Sequence, residues 1–501
     1  MFDKIRRLGK ETAVYGVSTI LGRFLTFLLT PLYTHVLAPD DLGVVATVYS
    51  YIAFLNVIYG YGMESAYMKY VSTRELGDER QTFTVPFVSV TLSSLALSVL
   101  LSVSAKPLSS AIALPPEYVS IVVYAAWILF FDAVTMIPFA SLRMEGKAFR
   151  FATVRLLNII INVACNGVLL FAFHMGVEGI FLSGLFSSAV TLLLLLPTII
   201  PRLTTHWSGT LYRALLAFGL PYIPAGLATM MIQVIDRPIL EALAGKAAVG
   251  VYQANYRLGI FMMLIVSMYD FAWRPFFLSH AGDPDAKPLF ARIMTYFVLF
   301  MTTVFLVLSF FLGELVQIPV FWGHPLIAPA YWGGLGIVPV VLLAYLFLGI
   351  YNNLVAGIYI EKKTKHLPPI TFAGAAINIA ANYLLIPSYG IMGAAIATLL
   401  SYLVMAIVLY LVVQRFYPVP YELGRVARIA VAAGAVFALY LGVHPSSLTI
   451  LWRCGLLLLF GALMYWMKFF VPSELHAVKI LFSRRSGDIR QDDSIRTPDQ
   501  E

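Results

Sequence analysis

Fourteen apolar segments, each long enough to cross a bilayer, constrain the fold of this 501-residue chain more than any other feature. A membrane-spanning helix needs about 20 mostly apolar residues, and a window of about 19 residues locates such segments. They occupy roughly residues 12–37, 41–67, 83–105, 117–141, 149–173, 177–200, 213–239, 247–272, 291–316, 332–358, 368–387, 391–413, 425–443 and 448–471. Because lipid offers backbone groups no hydrogen bonds, the chain should fold as an all-α, multi-pass membrane protein.

The composition excludes most soluble classes of protein. Hydrophobic residues make up 60% of the chain and charged residues only 12%, against about 25% charge in a soluble domain. The net charge of +8 comes from sparse residues between apolar segments, so it predicts no nucleic-acid partner. Cys165 and Cys454 lie inside apolar segments at no metal-binding or disulfide spacing, and we expect neither a metal nor a cofactor.

Basic residues alternate between the two sets of loops and thereby predict the orientation. One set of loops is rich in lysine and arginine, whereas the other holds little beyond Lys106 and Lys246. Because positive residues mark the cytoplasmic side, both ends of the chain are expected to be cytoplasmic. That orientation requires an even number of spans, which fourteen satisfies. The polar residues 476–501 are predicted to be a disordered cytoplasmic tail.

An internal repeat of about 210 residues predicts two related lobes. Residues 144–166 align without a gap with residues 360–382, and Gly43 matches Gly250 nearer the front of each half. Both copies start on the same side of the membrane, which indicates a parallel pseudo-twofold repeat around a central cavity. The predicted parts are two six-helix lobes, an appendage of two further helices and the tail. Their bounds are 1–200, 201–414, 415–475 and 476–501.

Three passages carry a resemblance to a known family. They are the LAPDDLG turn after the first segment, NIAANYLLIPSYGIMGAAIATLLSY at 378–402, and its weaker copy NVACNGVLLFAFHMGVEGIFLSG at 162–184. With fourteen spans, the chain resembles the polysaccharide-exporter branch, of Wzx type, of the multidrug/oligosaccharidyl-lipid/polysaccharide (MOP, MATE-like) superfamily. The multidrug exporters of that superfamily usually have twelve spans.

The resemblance implies a flippase in the bacterial cytoplasmic (inner) membrane. Such proteins move an undecaprenyl-diphosphate-linked oligosaccharide to the periplasmic leaflet by alternating access, supplying O-antigen, capsule or exopolysaccharide assembly. It also implies a lateral gap between the first and eighth helices, polymerase and glycosyltransferase partners, and a monomer. A cation-coupled multidrug antiporter and a lipid II flippase are the alternatives within the superfamily.

Three arginines within apolar segments are the predicted binding residues for the diphosphate. Arg23, Arg155 and Arg257 lie deep in spans one, five and eight, where a charge costs at least about 2.5–3.5 kcal/mol. Such a residue is retained when it faces water, a counter-ion or an anionic substrate, and arginine binds phosphate bidentately. Asp132 in span four reaches a similar depth, so it is expected to pair with Arg155 or to bind a coupling ion.

Other polar residues have two interpretations each. Asp236 and Arg237 are expected to form an ion pair at the outer interface, with a contact of an outer gate as the alternative. Asp270 and Arg274 are expected to form a similar pair at the inner interface, with a contact of a cytoplasmic gate as the alternative. Uncharged residues at depth are either sugar contacts or interhelical hydrogen-bonding groups. They are Tyr49, Tyr256, Gln253, Asn255 and Asn352.

Motifs for catalysis are missing from the sequence. No phosphate-binding loop, HExxH pair or nucleophile elbow occurs. A membrane polymerase would need a large outer loop, and none between the predicted spans exceeds about twenty residues. The sequence therefore predicts a transporter rather than an enzyme.

Overall fold

The structure is a computed structural model that describes residues 16, 20–320, 323–443 and 448–471. Residues 20–36 are helical apart from a turn at residue 28, and we call them α1. Thirteen further helices are long and apolar enough to cross a membrane. In chain order, α2 to α14 are Pro39–Thr73, Glu79–Val103, Pro116–Met144, Ala148–Phe171, Gly176–Arg202, Gly209–Val234, Lys246–His280, Ala286–Phe310, Pro329–Ile360, Thr364–Tyr389, Ile391–Gln414, Leu423–Gly442 and Thr449–Trp466.

The helices fall on the predicted apolar segments, which confirms the all-α class of membrane protein. The β structure among the described residues is limited to one isolated bridge between Pro319 and Pro325. The start of the first predicted span, at residues 12–15 and 17–19, and the predicted tail at 476–501 lie outside the described residues. The count of fourteen and the cytoplasmic position of both ends stay predictions.

A reciprocal contact between two glycines shows the repeat in three dimensions. A Cβ on Gly43 would lie 2.0 Å from the Lys246 carbonyl oxygen, and a Cβ on Gly250 would lie 1.9 Å from that of Pro39. Each carbonyl belongs to the residue four places before the partner glycine. The N-terminal turns of α2 and α8 therefore cross at a distance that only glycine permits. We call this crossing of Pro39–Gly43 with Lys246–Gly250 the α2–α8 seam.

Two asparagine pairs repeat the same geometry in α5 and α11. Asn166 donates to the Asn162 carbonyl and Asn382 to the Asn378 carbonyl, both at 2.8 Å. Asn166, Asn378 and Asn382 are fully buried, so these amides stabilise the helix interior, as interhelical and intrahelical polar groups commonly do in membrane proteins.

The chain divides into two compact units. The larger contains residues 1–286 and 312–418, and the smaller contains residues 287–311 and 419–501. The smaller unit thus combines most of α9 with α13 and α14. Within it, Arg425 forms a 2.9 Å ion pair with Glu422 and lies 4.5 Å over the ring of Phe469. The predicted bounds of the two homologous lobes stay a prediction, because compactness does not test homology.

Candidate functional site

The three predicted arginines line one cavity of about 660 Å³ in the larger unit. Arg23 comes from α1, Arg155 from α5 and Arg257 from α8, so helices far apart in sequence bring them together. We call this the central cavity. Its other lining residues are Gly22, Thr26, Phe27, Phe151, Ile159, Arg237, Gln253, Tyr256, Ile260, Met263 and Tyr345. No carboxylate occurs among its described lining residues, so the cavity carries an excess of positive charge.

Arg23 is an exposed arginine in the first turn of α1. Its Nη1 donates a 2.6 Å hydrogen bond to Oγ of Ser267 on α8. Within the described part of the chain, no carboxylate lies within ion-pairing distance of its guanidinium. A guanidinium has five N–H donors, so Arg23 keeps donors available for a ligand.

Arg257 is positioned by a break in α8. The helix tightens into a 3₁₀ turn at Arg257–Gly259, a local change that often marks a functional segment. The side chain donates to Oγ1 of Thr30 on α1 at 3.3 Å and lies 5.8 Å from the ring centroid of Tyr33. Neither partner neutralises its charge.

Arg155 packs on aromatic rings instead of forming the predicted ion pair. Its guanidinium carbon lies 4.4 Å from the ring centroid of Phe139 and 5.8 Å from that of Phe151. Asp132 instead accepts a 2.8 Å hydrogen bond from Oγ of Ser188. Among the described residues the two charges form no ion pair, because each has a different partner.

Asp132 and Arg155 nevertheless line a second cavity, of about 620 Å³. This second cavity is enclosed by residues 49–191 and is lined mainly by polar side chains. Glu64 and Arg143, also on its wall, form an ion pair with each other. Arg155 therefore connects the central cavity to a more polar compartment.

The Asp236–Arg237 pair is buried, so the prediction of an interfacial, snorkelled pair was wrong. Asp236 is 1% exposed and Arg237 6% exposed. Their ion pair measures 2.6 Å, Tyr252 donates to Asp236 at 2.5 Å, and Arg237 donates to Gln253 at 3.1 Å. The physical reason is that the chain continues after α7 as the short helix Asp236–Ala244, which packs against α2, α8 and α11.

Asp270 and Arg274 pair as predicted, one turn apart on α8, at 3.1 Å. They line a third cavity of about 690 Å³ together with Arg23. Tyr256 and Tyr345 line both this third cavity and the central cavity, so the two spaces adjoin.

The five predicted sugar-contact residues do not lie together. Tyr256 and Gln253 line the central cavity, Asn352 the third cavity and Tyr49 the second. Asn255 is fully buried and donates 2.8 Å hydrogen bonds to the carbonyls of Val251 and Tyr331. Of its two interpretations, the interhelical hydrogen bond is therefore the one that the structure shows, because its amide holds α8 against the 3₁₀ start of α10.

The lateral gap implied between the first and eighth helices is closed along the described residues. Ser267 and Thr30 take hydrogen bonds from Arg23 and Arg257 across this boundary. Between these two levels the rings of Phe27 and Phe261 meet edge to face at 5.5 Å. Arg23 and Arg257 thus both lie at the boundary between α1 and α8.

Sequence reasoning missed three features of the site. It placed Arg237 at the interface rather than on the central cavity, and it did not single out Ser267 or Tyr345. A proline directly after Arg237 suggested a helix end, although Pro238 is accommodated near the start of the next helix. Ser267 and Tyr345 carried no distinguishing signal, because similar residues occur throughout the apolar segments.

Comparisons with known proteins agree with this architecture. Residues 33–275 match the family described as polysaccharide biosynthesis protein. The lipid II flippase MurJ, in an inward closed conformation, superposes with a TM-score of 0.72 at 16% identity, over 90% of this chain and 99% of that one. An inward-facing multidrug resistance MATE family transporter of the MOP superfamily gives 0.63 at 16% identity, over 78% and 94%.

A MOP superfamily transporter from Pyrococcus furiosus gives a TM-score of 0.58 at 17% identity, over 81% of this chain and 95% of that one. No protein with a curated description matches by sequence. The chain therefore has the fold that these MOP superfamily transporters share, and residues 33–275 are similar to the polysaccharide biosynthesis family.

Proposed function

We propose that this chain is a flippase that moves an undecaprenyl-diphosphate-linked oligosaccharide across the bacterial cytoplasmic membrane by alternating access. Arg23, Arg155 and Arg257 bind the diphosphate in the central cavity, while the polyprenyl tail stays in lipid. The observation that carries the proposal is the convergence of these three arginines, none of them paired with a carboxylate among the described residues, on one cavity.

Electrostatics favours an anionic headgroup in this cavity. Arginine binds phosphate oxygens in a bidentate manner, and such charge-assisted hydrogen bonds are about twice as strong as neutral ones. Screening is weaker inside a protein than in water, which increases the attraction. Arg23, Arg155 and Arg257, none of them paired with a carboxylate among the described residues, would repel a cationic drug for the same reason.

The volumes fit a headgroup with a diphosphate and sugars. The central cavity, about 660 Å³, is within the range of about 300–1,000 Å³ typical of ligand pockets. The adjoining third cavity adds about 690 Å³ and includes Asn352, Gln233 and Tyr402, whose amides and hydroxyl can bind sugar hydroxyls. Closure of the α1–α8 boundary separates the cavities from lipid, so opening it would admit the substrate.

A cation-coupled antiporter is the second candidate, and Asp132 is the observation that favours it. This carboxylate faces a polar cavity and has only the Ser188 hydroxyl as a hydrogen-bond partner among the described residues. A carboxylate in such a place can bind a proton or a sodium ion. A lipid II flippase would use the same cationic cavity with a different headgroup.

Reconstitution tests the proposal directly. The purified chain is placed in liposomes with fluorescent undecaprenyl-diphosphate-linked N-acetylglucosamine, and the fraction protected from an external quencher is followed. We expect translocation by the wild type and its loss in R23A, R155A and R257A, with partial recovery in the matching lysine variants, which keep the charge but lose bidentate binding.

Arg213→Ala is the matched control, because Arg213 is exposed on α7 and lines none of the three cavities. It should translocate the lipid normally. Full activity of the three alanine variants at normal expression would contradict the proposal. Efflux of a cationic dye without lipid translocation would replace it with the antiporter, and translocation of lipid II alone would change the substrate.

A further inference from the structure

A buried carboxyl group without a partner lies next to the α2–α8 seam. Glu241 belongs to the short helix Asp236–Ala244. Both of its carboxylate oxygens are buried and neither has a hydrogen-bond partner. Asp236 on the same helix differs sharply, since it takes hydrogen bonds from Arg237 and Tyr252. A buried ionised carboxylate with no donor is costly, because it loses its water and gains nothing in exchange.

The hydroxyl of Thr47 on α2 is also buried and makes no hydrogen bond of good geometry among the described residues, although it lies close enough to the Glu241 carboxyl to affect its pKa. A helical hydroxyl usually donates to the carbonyl one turn earlier, as Ser50 does to Ala46 at 2.8 Å. Thr47 does not, although it is one turn beyond Gly43 of the seam. A neutral Glu241 would supply the missing donor to this oxygen. Burial raises the pKa of the Glu241 carboxyl, and Thr47 and Lys246 offset part of that rise.

Few charged groups surround Glu241. The short helix packs against α2, α7, α8, α11 and α12. Lys246 at the start of α8 donates to the Ala113 carbonyl at 2.6 Å. On α2, Tyr51 interacts with Glu241, and Asp40 and Asp41 lie in the seam itself, where Asp41 accepts a 2.8 Å hydrogen bond from Tyr118. Residues 367–389 of α11 and 391–414 of α12 contain no charged residue, only tyrosines. On α7 the charged residue is Arg213 at the inner end, and Asp236 and Arg237 neutralise each other.

We propose that Glu241 is a proton-binding site of the α2–α8 seam. The carboxyl holds a proton while the seam is closed, with the Thr47 hydroxyl as acceptor, and releases it to water when the seam opens. A metal ion or sodium is disfavoured, because one carboxylate and one hydroxyl supply far fewer than the six or so oxygens such cations take. The proposal holds whatever compound the central cavity carries.

The linkage fixes the direction of the pH effect. The closed seam binds the proton more tightly than the open seam, since hydration of the open state stabilises the charged carboxylate. Acid therefore favours the closed seam, and this stabilisation is lost as the pH rises through the raised pKa. Uptake of a proton at the seam would thus accompany its closure.

Infrared difference spectroscopy on the full chain in lipid nanodiscs tests for the proton itself. We expect a carboxylic-acid carbonyl band at low pH that disappears on raising the pH, is absent from E241Q at every pH, and persists in the controls E178Q and D132N; the second control identifies any separate band from Asp132. Glu178 suits this role because it already accepts a hydrogen bond from Ser120. Absence of the band from the wild type, or its survival in E241Q, would overturn the proposal.

Two further measurements keep the test decisive if E241Q does not fold. T47V keeps the Glu241 carboxyl but removes the hydroxyl that accepts its hydrogen bond. The carbonyl band should therefore shift in frequency, and the pH at which half of it is lost should change. An unchanged band would contradict the proposal. Spin labels at Ala38 and Ala247, both exposed beside the seam, should separate as the pH rises. A separation that responds to sodium and not to pH would also overturn it.

Discussion

The arginines of this protein fall into two groups that differ in their partners. Arg237 has an aspartate at 2.6 Å, a carbonyl at 2.5 Å and an amide at 3.1 Å, and it is nearly inaccessible. Arg23 and Arg257 each have a single hydroxyl, and Arg155 has aromatic rings. Both groups line the central cavity. The position of an arginine within an apolar segment therefore does not define its role. What matters is how many of its N–H groups are already hydrogen-bonded within the protein.

The number of protein partners predicts whether an arginine contributes to the stability of the fold or to the binding of a ligand. Removing a partner of a buried arginine should destabilise the fold, because a buried charge without a counter-ion has a high free energy. An arginine with unused donors can bind a ligand without breaking internal bonds. Variants of the two groups should accordingly fail in different measurements.

The largest effect is expected for Asp236→Ala. It leaves Arg237 buried without its counter-ion, a change that costs about 3–5 kcal/mol. Thermal unfolding of the purified protein should show a large loss of stability. Asp270→Ala is the matched control, because the Asp270–Arg274 pair is largely exposed and such pairs contribute about 0–1 kcal/mol. Equal losses in the two variants would contradict the distinction.

Arg257→Ala should act on binding instead. Removing a charged ligand contact costs about 2–3 kcal/mol, or roughly 30–150-fold in affinity for a diphosphate. The melting temperature should change little, because Arg257 has only one hydrogen bond to a hydroxyl. The distinction between the two groups of arginines would be contradicted if R257A lost as much thermal stability as D236A while its folded fraction bound the diphosphate with wild-type affinity.

Ser267→Ala is expected to have an intermediate effect. The serine hydroxyl fixes the guanidinium of Arg23 at 2.6 Å across the α1–α8 boundary. Hydrogen bonds to charged groups contribute about 1.5–3 kcal/mol, and the exposure of Arg23 to solvent weakens this one. Translocation rates of reconstituted protein should fall by several fold. An effect as large as that of R23A would mean that the hydroxyl, not the charge, is the functional group.

Phe139→Leu should have the smallest effect. It removes the ring beneath Arg155 at 4.4 Å, and exposed cation–π contacts contribute about 0.5–1 kcal/mol. Affinity for a diphosphate should change by a few fold at most, measured by titration. A loss comparable to R155A would show that Arg155 depends on this ring for its position.

Much of the fold was predictable because a segment that crosses a bilayer must be apolar and must form its backbone hydrogen bonds within a helix. Apolar length located the helices with ends that differ by up to about eight residues. The repeat matched Gly43 with Gly250 as equivalent positions, but it did not predict that the turns around them touch. Arg23, Arg155 and Arg257 were visible because a charge inside an apolar segment is rare. Their convergence on one cavity follows from helix packing, which spacing alone does not give.

The differences between prediction and structure have physical causes. Pro238 suggested the end of a span, yet the chain continues as a covered helix, so Asp236 and Arg237 are buried. Asn255 lies one residue from the cavity-lining Tyr256 but points about a quarter turn away on the helix, toward α10. The depth of a residue in the membrane can be predicted from its position within an apolar segment. Which neighbour its side chain faces depends on how the surrounding helices pack, and this was not predicted from the sequence.

Direct binding of a short polyprenyl diphosphate tests the central claim most sharply. Farnesyl diphosphate and farnesol are titrated into the wild type, into the triple variant R23A/R155A/R257A and into the control R213A. We predict that the wild type and R213A prefer the diphosphate by at least about 100-fold, decreasingly so at high salt, and that the triple variant binds both compounds alike. A triple variant that is folded and keeps the preference would contradict the account.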